Sequence, residues 1–265
     1  TSSTSQTSRT NSYKINATGE VGEKTKFYIN DINSNPEEIY IDGELTSDSY
    51  LIEGNGITKS NIVKVEIGTK VTSIGGLAFY QCRSLQSVTI GDSVMYMLQR
   101  AFDGCSLLES VTFDGTSQVI GIPRAAFYDC SALKSVTIPD NVTNIDDYAF
   151  SKCSALQSVT IPTNVNFTTI GDMAFSGCNV LQSLTIPDSA DSIKDSAFLD
   201  SGLTTLYTSE TNGLGLSEGS QTVGRKTVNV IFFSKDAANN YEGPEYFGNP
   251  NAWDVSLITD LSYVF

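Results

Sequence analysis

The dipeptide Ala-Phe recurs six times at nearly constant spacing, and this repeat constrains the fold more than any other feature of the chain. Successive copies lie 23, 25, 23, 25 and 23 residues apart, beginning at Ala78, Ala101, Ala126, Ala149, Ala174 and Ala197. Self-similarity at a period of 20–50 residues is the signature of a solenoid, in which each repeat packs only against its neighbours. We therefore predict one continuous repeat array.

Each repeat also has a frame of apolar positions, and the copy that begins at Leu133 shows it most cleanly. After Leu133 the frame continues with Val136, Ile138, Pro139, Val142, Ile145, Ala149, Phe150 and Cys153. Val136 and Ile138 are two residues apart, so they share one face of a short strand.

The second half of the frame has a different spacing. Ile145, Ala149 and Cys153 are four residues apart, which predicts one stripe of a helical turn, and Asp146 and Asp147 suit its positive N-terminal end. A strand and a short helix in 20–29 residues form a leucine-rich-repeat unit. We predict an α/β repeat solenoid: a leucine-rich-repeat arc with a parallel β-sheet on the concave side, short helices on the convex side and β-rich flanking caps.

The flanking segments differ in composition from the repeats. Residues 1–12 form a Ser/Thr-rich tail, 13–56 are predicted to be an N-terminal β-rich cap, 57–207 hold the leucine-rich repeats, and 208–265 form a C-terminal cap. Within the N-terminal cap, Asp42-Gly43 between two apolar stretches predicts a hairpin turn.

Charge and composition exclude several functions. Sixteen basic against 30 acidic residues give a net charge of −14, which opposes binding to nucleic acid. No apolar run approaches 18 residues, so we expect no membrane span in this chain. Histidine is absent, which removes the commonest general base and transition-metal ligand. With no nucleophile–base pair and no phosphate loop, we expect neither an enzyme nor a cofactor or metal site.

The cysteines fall one per repeat, three residues after the Phe, at Cys82, Cys105, Cys130, Cys153 and Cys178. Metal ligands must converge on one point, whereas these lie in a line. A disulfide needs Cβ atoms near 3.8 Å, but equivalent residues of stacked repeats lie roughly 5 Å apart. We predict buried, reduced thiols that pack as small hydrophobes, and a less buried Ser201 at the equivalent position of the last repeat.

The outward positions of the predicted strands are filled with Ser and Thr, and a polar column of variable charge adjoins them. The candidate ligand-binding residues on this concave face are Gln86, Thr89, Glu109, Thr112, Lys134, Thr137, Gln157, Thr160, Gln182 and Thr185. Such a face could contact a protein or glycan, and an array of hydroxyls at about 4.8 Å spacing could bind a flat, repetitive ligand such as polysaccharide or ice. Alternatively, Ser and Thr simply suit solvated strands.

Three sequons begin at Asn16, Asn141 and Asn166. They are candidate glycosylation sites in a eukaryotic secreted protein and carry no meaning in a bacterial one.

The repeat motif A-F-x-x-C-x-x-L-x-S-V-x-I-P resembles the BspA-like class of leucine-rich repeats over about residues 57–207. The C-terminal run from Trp253 to Phe265, W-D-V-S-L-I-T-D-L-S-Y-V-F, is similar to a second repeat type found in surface lipoproteins, although Leu261 and Val264 stand where Met is usual. Because the chain stops within such a unit, we expect further repeats or a partner chain at this end. The resemblance implies an extracellular or cell-surface location and adhesion to host or matrix proteins.

Two functions follow as hypotheses. The first is a non-enzymatic adhesion module that presents its concave surface to a protein or glycan partner at the cell surface. The second is a structural subunit or scaffold of a larger extracellular assembly, docking through its ends while the concave face stays idle.

Overall fold

The computed structural model describes residues 24–51, 56–115, 117–162, 166–209 and 211–232, together with the short segments 234–235 and 241–242. The Ser/Thr-rich tail, Asn16 and the C-terminal unit at 253–265 lie outside the described residues. The described part is a β-solenoid of about seven turns, which we call coils. The boundaries of the flanking caps stay a prediction.

Nineteen short strands and one four-residue helix form the described coils. In chain order they are β1 (Thr25–Ile29), β2 (Glu37–Ile39), β3 (Gly43–Leu45), α1 (Ser47–Tyr50), β4 (Ile62–Glu66), β5 (Val71–Ile74), β6 (Ser87–Ile90), β7 (Tyr96–Met97), β8 (Ser110–Phe113), β9 (Ser135–Thr137), β10 (Asn144–Ile145), β11 (Ser158–Thr160), β12 (Thr169–Ile170), β13 (Ser183–Thr185), β14 (Ser192–Ile193), β15 (Thr205–Thr208), β16 (Gly219–Val223), β17 (Lys226–Phe232), β18 (Ser234–Lys235) and β19 (Tyr241–Glu242).

The predicted parallel sheet is confirmed, with one strand from each coil. Strands β4, β6, β8, β9 and β11 lie side by side in one sheet, and β13, β15 and β17 continue the series in a second. Equivalent residues pair directly, as Val65 with Val88 and Val88 with Val111. Since alternate residues of a strand face opposite ways, these valines are buried while their neighbours face outward.

A second, narrower set of parallel strands follows in each coil. Strands β3, β5 and β7 form one sheet and β10, β12 and β14 another, with a single bridge from Ile122 to Ile145. The predicted hairpin at Asp42-Gly43 is wrong, because β2 pairs with β1 and β3 pairs in parallel with β5. The intervening chain crosses from one sheet to another.

The predicted convex helices are also wrong. Within the described ranges α1 is the only α-helix, and the Ala-Phe segments are consecutive turns. Alternate N–H groups donate to the next coil, as from Phe79 to the carbonyl of Ala101 (2.7 Å) and from Gln81 to that of Asp103 (2.8 Å). The N–H of Tyr80, between them, donates back to the carbonyl of Leu77 at 3.0 Å. An α-helix needs each N–H to bond four residues back, so bonding between coils precludes it.

The four-residue spacing that suggested a helix, as in Ile145, Ala149 and Cys153, is also the spacing of the turns. Two residues in each full coil, four apart, adopt left-handed backbone conformations, with φ of 52–63° where they are not glycine. They are Leu77, Gln81, Arg100, Gly104, Ala125, Asp129, Tyr148, Lys152, Met173 and Gly177, and Asp200 follows in the last coil. This conformation is unfavourable for most L-residues. The bonds between coils hold it in place.

The phenylalanine of each Ala-Phe pair forms a continuous stack through the core. Its members are Phe27, Tyr50, Phe79, Phe102, Phe127, Phe150, Phe175 and Phe198, with successive ring centroids 5.0–5.9 Å apart. From Tyr50 onward, successive rings lie within 14° of parallel. Offset stacking at this distance is favourable for aromatic rings.

The two ends of the stack differ from its middle. The N-terminal end finishes with Phe27 of β1, next to Tyr50 of α1, whose hydroxyl donates to the carbonyl of Ala78 at 2.5 Å. At the C-terminal end the turn between β16 and β17 lies against Phe198. Gly224 has φ +55° there, and a Cβ on it would lie 3.1 Å from Cδ2 of Phe198 and 3.2 Å from Cβ of Ala197. Only glycine allows the hairpin to lie this close in this conformation.

Replacing Phe127 by Ala should lower the free energy of unfolding by about 3–5 kcal/mol, because the ring is fully buried and the cavity would interrupt the stack on both sides. Chemical denaturation measures this loss. Leu107→Ala is the control, since Leu107 is 52 % exposed and should change stability by less than about 0.5 kcal/mol. Equal losses in the two variants would contradict the stack as a source of stability.

Candidate functional site

The outward side of the first set of strands, which we call the strand face, carries two columns of hydroxyls. Pairing between coils aligns Ser87 with Ser110, Ser110 with Ser135 and Ser135 with Ser158. The threonine column lies two residues further along each strand, as in the pairs Thr89–Thr112 and Thr137–Thr160. All ten predicted binding residues are exposed or half-buried, so the structure places them together on one surface. Their role in binding stays a prediction.

The third column, one residue before the serines, is polar and carries opposite charges at its centre. The Nζ of Lys134 lies 2.5 Å from Oε2 of Glu109, and both side chains are more than half exposed. An exposed pair of this kind contributes about 0–1 kcal/mol to stability, so it affects the surface charge more than the fold. Gln86, Gln157 and Gln182 complete the column.

A charged cluster at the N-terminal edge of this face was not predicted. The Glu66 carboxylate accepts a hydrogen bond from the Tyr28 hydroxyl (3.1 Å) and lies 2.7 Å from Nζ of Lys64. Partial burial raises the pKa of Glu66, but the bonds from Lys64 and Tyr28 outweigh it and hold this pKa below its usual value. Sequence reasoning missed the cluster because Tyr28 reaches it only through the antiparallel pairing of β1 with β4.

A second tyrosine lies at the opposite edge. Tyr207 pairs with Thr185 and so extends the threonine column onto β15. Burial raises the pKa of its hydroxyl. The strand face is thus a row of hydroxyls with Tyr28 near one edge and Tyr207 at the other.

The cysteines are free thiols, and all five are buried as predicted. Their polar contacts were not foreseen. Each Sγ from Cys105 onward donates to the carbonyl of a Phe one coil earlier, at 3.1–3.2 Å, as from Cys130 to Phe102. Burial raises the pKa of the thiol of Cys82 to about 11 and that of Cys178 to about 12. Since the thiolate is the nucleophile, we expect these buried thiols to be unreactive.

Ser201, which takes the place of cysteine in the last coil, is buried, contrary to the prediction. Its hydroxyl donates to the carbonyl of Phe198 in its own coil at 2.7 Å. The C-terminal hairpin covers this coil, and Nζ of Lys226 donates to the carbonyl of Ser201.

The acidic residues of the turns join coils to one another. Oδ1 of Asp147 accepts from the N–H of Asp172 at 2.8 Å, and Oδ1 of Asp172 accepts from the N–H of Ser196 at 3.1 Å. Asp147 was predicted to lie at a helix start, and with no helix present it bonds to the next coil. Among the described residues, no group of acidic and cysteine side chains has the arrangement of a metal site.

Two of the three sequon asparagines lie in the described part of the chain. Asn141 and Asn166 are both exposed. The Nδ2 of Asn141 donates to the carbonyl of Ser117 at 2.8 Å. Their glycosylation stays a prediction.

The parallel strand ladder and the one-coil repeat define a solenoid of the leucine-rich-repeat class. The family model of the BspA type leucine rich repeat region, in six copies, matches residues 51–167 and 108–215. The chain belongs to this family. No helix in the described ranges is long and apolar enough to cross a bilayer.

Solved structures similar to this chain come from several bacteria. A leucine rich cell surface protein from Faecalibacterium prausnitzii is 27 % identical, with a TM-score of 0.51 over 81 % of this chain and 52 % of that one. A leucine-rich repeat protein from Bacteroides ovatus is 25 % identical, with a TM-score of 0.41 over 72 % and 55 %. The pneumococcal vaccine antigen PcpA is 21 % identical, with a TM-score of 0.47 over 71 % and 49 %. The chain therefore spans about half the length of these structures. No curated protein matches the chain.

Thiol labelling checks the assignment of the cysteines. At about pH 8 the native protein should react with almost no thiol reagent, whereas the denatured protein, whose thiols have pKa values near 8.5, should take up about five equivalents. Rapid labelling of the native protein would show that the thiols are accessible.

The raised thiol pKa values also predict a pH dependence. Between about pH 8.5 and 11 the unfolded thiols ionise while the folded ones keep their protons, so the unfolded state binds fewer protons and stability falls as pH rises. Cys130→Ala should show a shallower fall than the parent protein in denaturation curves across this range. Parallel curves would contradict the assignment.

Proposed function

We propose that this chain is a non-enzymatic recognition module, outside the cell or on its surface, that binds a protein partner along the strand face. The observation that carries the proposal is the alignment of three polar columns across consecutive coils. These side chains take no part in the core, so the solenoid can present them without cost to its stability.

The composition of the face favours a protein partner over a glycan. Its central residues are hydroxyls, amides and the Glu109–Lys134 pair, and its tyrosines lie near the edges. The centre of the face lacks aromatic rings on which a sugar could stack, whereas its polar groups can supply the roughly ten direct hydrogen bonds of a typical protein interface. A flat, repetitive ligand such as polysaccharide or ice remains the minor alternative, and the interruption by Glu109 and Lys134 counts against it.

The relatives support an extracellular location. The F. prausnitzii structure is described as a cell surface protein, and free buried thiols are compatible with an oxidising environment because reagents cannot reach them. The strong negative charge of the chain further favours a partner with basic groups, since charge complementarity speeds association and excludes wrong partners.

Bulky changes at the centre of the strand face test the proposal. The triple variant Thr112→Tyr, Thr137→Tyr and Thr160→Tyr should lose binding to immobilised extracellular-matrix proteins, measured by biolayer interferometry, because a partner that spans several coils must contact these positions. Its melting temperature should stay close to that of the parent, as is usual for surface changes.

The control and the contrary outcomes separate the candidate functions. Thr72→Tyr places the same side chain at an exposed position on β5, outside the strand face, and should leave binding intact. If the triple variant binds fully while deletion of residues 240–265 abolishes binding, the strand face is scaffold and the chain is a structural subunit that docks through its end. Binding to a glycan array alone would favour the glycan alternative.

A further inference from the structure

A groove crosses the turn side of the solenoid, on the surface formed by the Ala-Phe segments. It has a volume of about 490 Å³, is open to solvent along its length and has a mainly polar lining. Its walls are Tyr80 on one coil and Tyr128 two coils later, and Asp103 and Gly104 of the coil between them form its floor. Two coil spacings separate the tyrosines by about 10 Å.

The groove exists because three coils differ at equivalent positions. Tyr80, Asp103 and Tyr128 each follow an Ala-Phe pair, so the middle coil has a smaller side chain than its neighbours. At the next position the middle coil has Gly104, where the adjoining coils have Gln81 and Asp129. A Cβ on Gly104 would lie 3.2 Å from Cγ of Gln81. The glycine therefore leaves room for the Gln81 side chain, which lies directly against it.

The two rings are held from outside the groove. Nζ of Lys152, on the coil after Tyr128, lies 4.9 Å from that ring's centroid, and Lys59, on the coil before Tyr80, lies 5.9 Å from the centroid of that ring. Cation–π contacts of this length are attractive. Nε2 of Gln81 also donates to the Tyr80 hydroxyl at 3.1 Å.

The Asp103 carboxylate on the floor of the groove can accept further hydrogen bonds. Asp103 is only 6 % exposed, and Nε of Arg100 lies 3.5 Å from its Oδ2, longer than the roughly 2.7–2.9 Å of a good charge-assisted hydrogen bond. Burial raises the pKa of this carboxyl. Sugar hydroxyls that donate to Asp103 would satisfy a carboxylate that the protein solvates poorly.

The lining of the groove carries balanced charge, unlike the chain as a whole. It holds two cations, Arg83 and Arg100, against the carboxylates of Asp103 and Asp129, while Lys59 and Lys152 lie on the outer sides of the two tyrosines. Within the described residues Arg83 makes no ion pair, so its planar guanidinium is open to a bidentate carboxylate. The chain's net charge of −14 acts weakly at this range, because salt screens charges beyond about 8–10 Å.

We propose that this groove binds an acidic saccharide, a sugar unit bearing a carboxylate. The sugar ring lies between Tyr80 and Tyr128, its hydroxyls donate to Asp103 and Asp129, and its carboxylate contacts Arg83. The site is separate from the strand face and does not depend on the function proposed for it.

Filling the groove tests the proposal with a matched control. Gly104→Gln introduces the side chain that Gln81 already carries at the equivalent left-handed position. Gly177→Gln makes the same change at another left-handed glycine, three coils on, where the equivalents of Tyr80 and Tyr128 are Ser151 and Leu199. Gly104→Gln should lower the melting temperature slightly more, because its Cβ would lie 3.2 Å from Cγ of Gln81 whereas the nearest atom to a Cβ on Gly177 is 3.5 Å away. Both variants should stay folded, and only Gly104→Gln should lose saccharide binding.

The probes are 3′-sialyllactose and a hyaluronan tetrasaccharide, with lactose and maltotetraose as neutral counterparts, measured by saturation-transfer NMR and calorimetry. At least one acidic probe should bind the parent protein more tightly than its neutral counterpart, and the affinity should fall as salt is raised. Arg83→Gln should weaken acidic binding about tenfold, as expected for loss of a bond to a charged group, and leave the neutral probe unchanged.

Three results would overturn the proposal: no acidic probe binds, neutral probes bind equally well, or Gly104→Gln binds as tightly as Gly177→Gln. The triple tyrosine variant of the strand face should keep full saccharide binding, so failure of one site leaves the other testable.

Discussion

Backbone hydrogen bonds join each coil to the next on three sides of the solenoid. Two of these sides are the two sets of short parallel strands, and the third is formed by the turns. The turns contribute because alternate N–H groups, such as those of Phe79 and Gln81, donate to the next coil. Buried backbone groups must find such partners, and here the partner is usually the equivalent segment one coil away. The resulting spacing of about 4.8 Å brings equivalent side chains into contact throughout the solenoid.

That contact limits which residues can face inward. A ring at the position of Phe127 must stack on rings before and after it, and nearly parallel planes allow this. A thiol at the position of Cys130 fits because its Sγ reaches the carbonyl of Phe102. At the two ends the stack has no further repeat to meet: it finishes with Phe27, next to Tyr50, at one end and against the hairpin at Gly224 at the other. The inward positions therefore vary little along the solenoid.

Outward side chains do not have to pack against equivalent side chains in the core, so they can vary from coil to coil. On the strand face the variation is slight, and columns of hydroxyls result. On the turn side it is greater: Tyr80, Asp103 and Tyr128 occupy one column, and their difference in size opens a groove. One scaffold thus carries two surfaces of different chemistry, and neither draws on the interactions that stabilise the core.

The sequence alone determined the repeat, the parallel strands, the buried cysteines and the outward columns of Ser and Thr, because alternation along a strand and a fixed period specify which side chains face inward. Only the tertiary structure decided between helix and turns after Ile145, since that choice depends on whether an N–H bonds within its own coil or to the next. The same holds for the partners of Tyr28, which lie across an antiparallel pairing. It holds also for the groove, whose walls come from coils 48 residues apart in sequence, from Tyr80 to Tyr128. The spacing of residues along the chain specifies which side chains face inward. Which side chains touch across coils depends instead on the register of strand pairing and on the size of the neighbouring side chains.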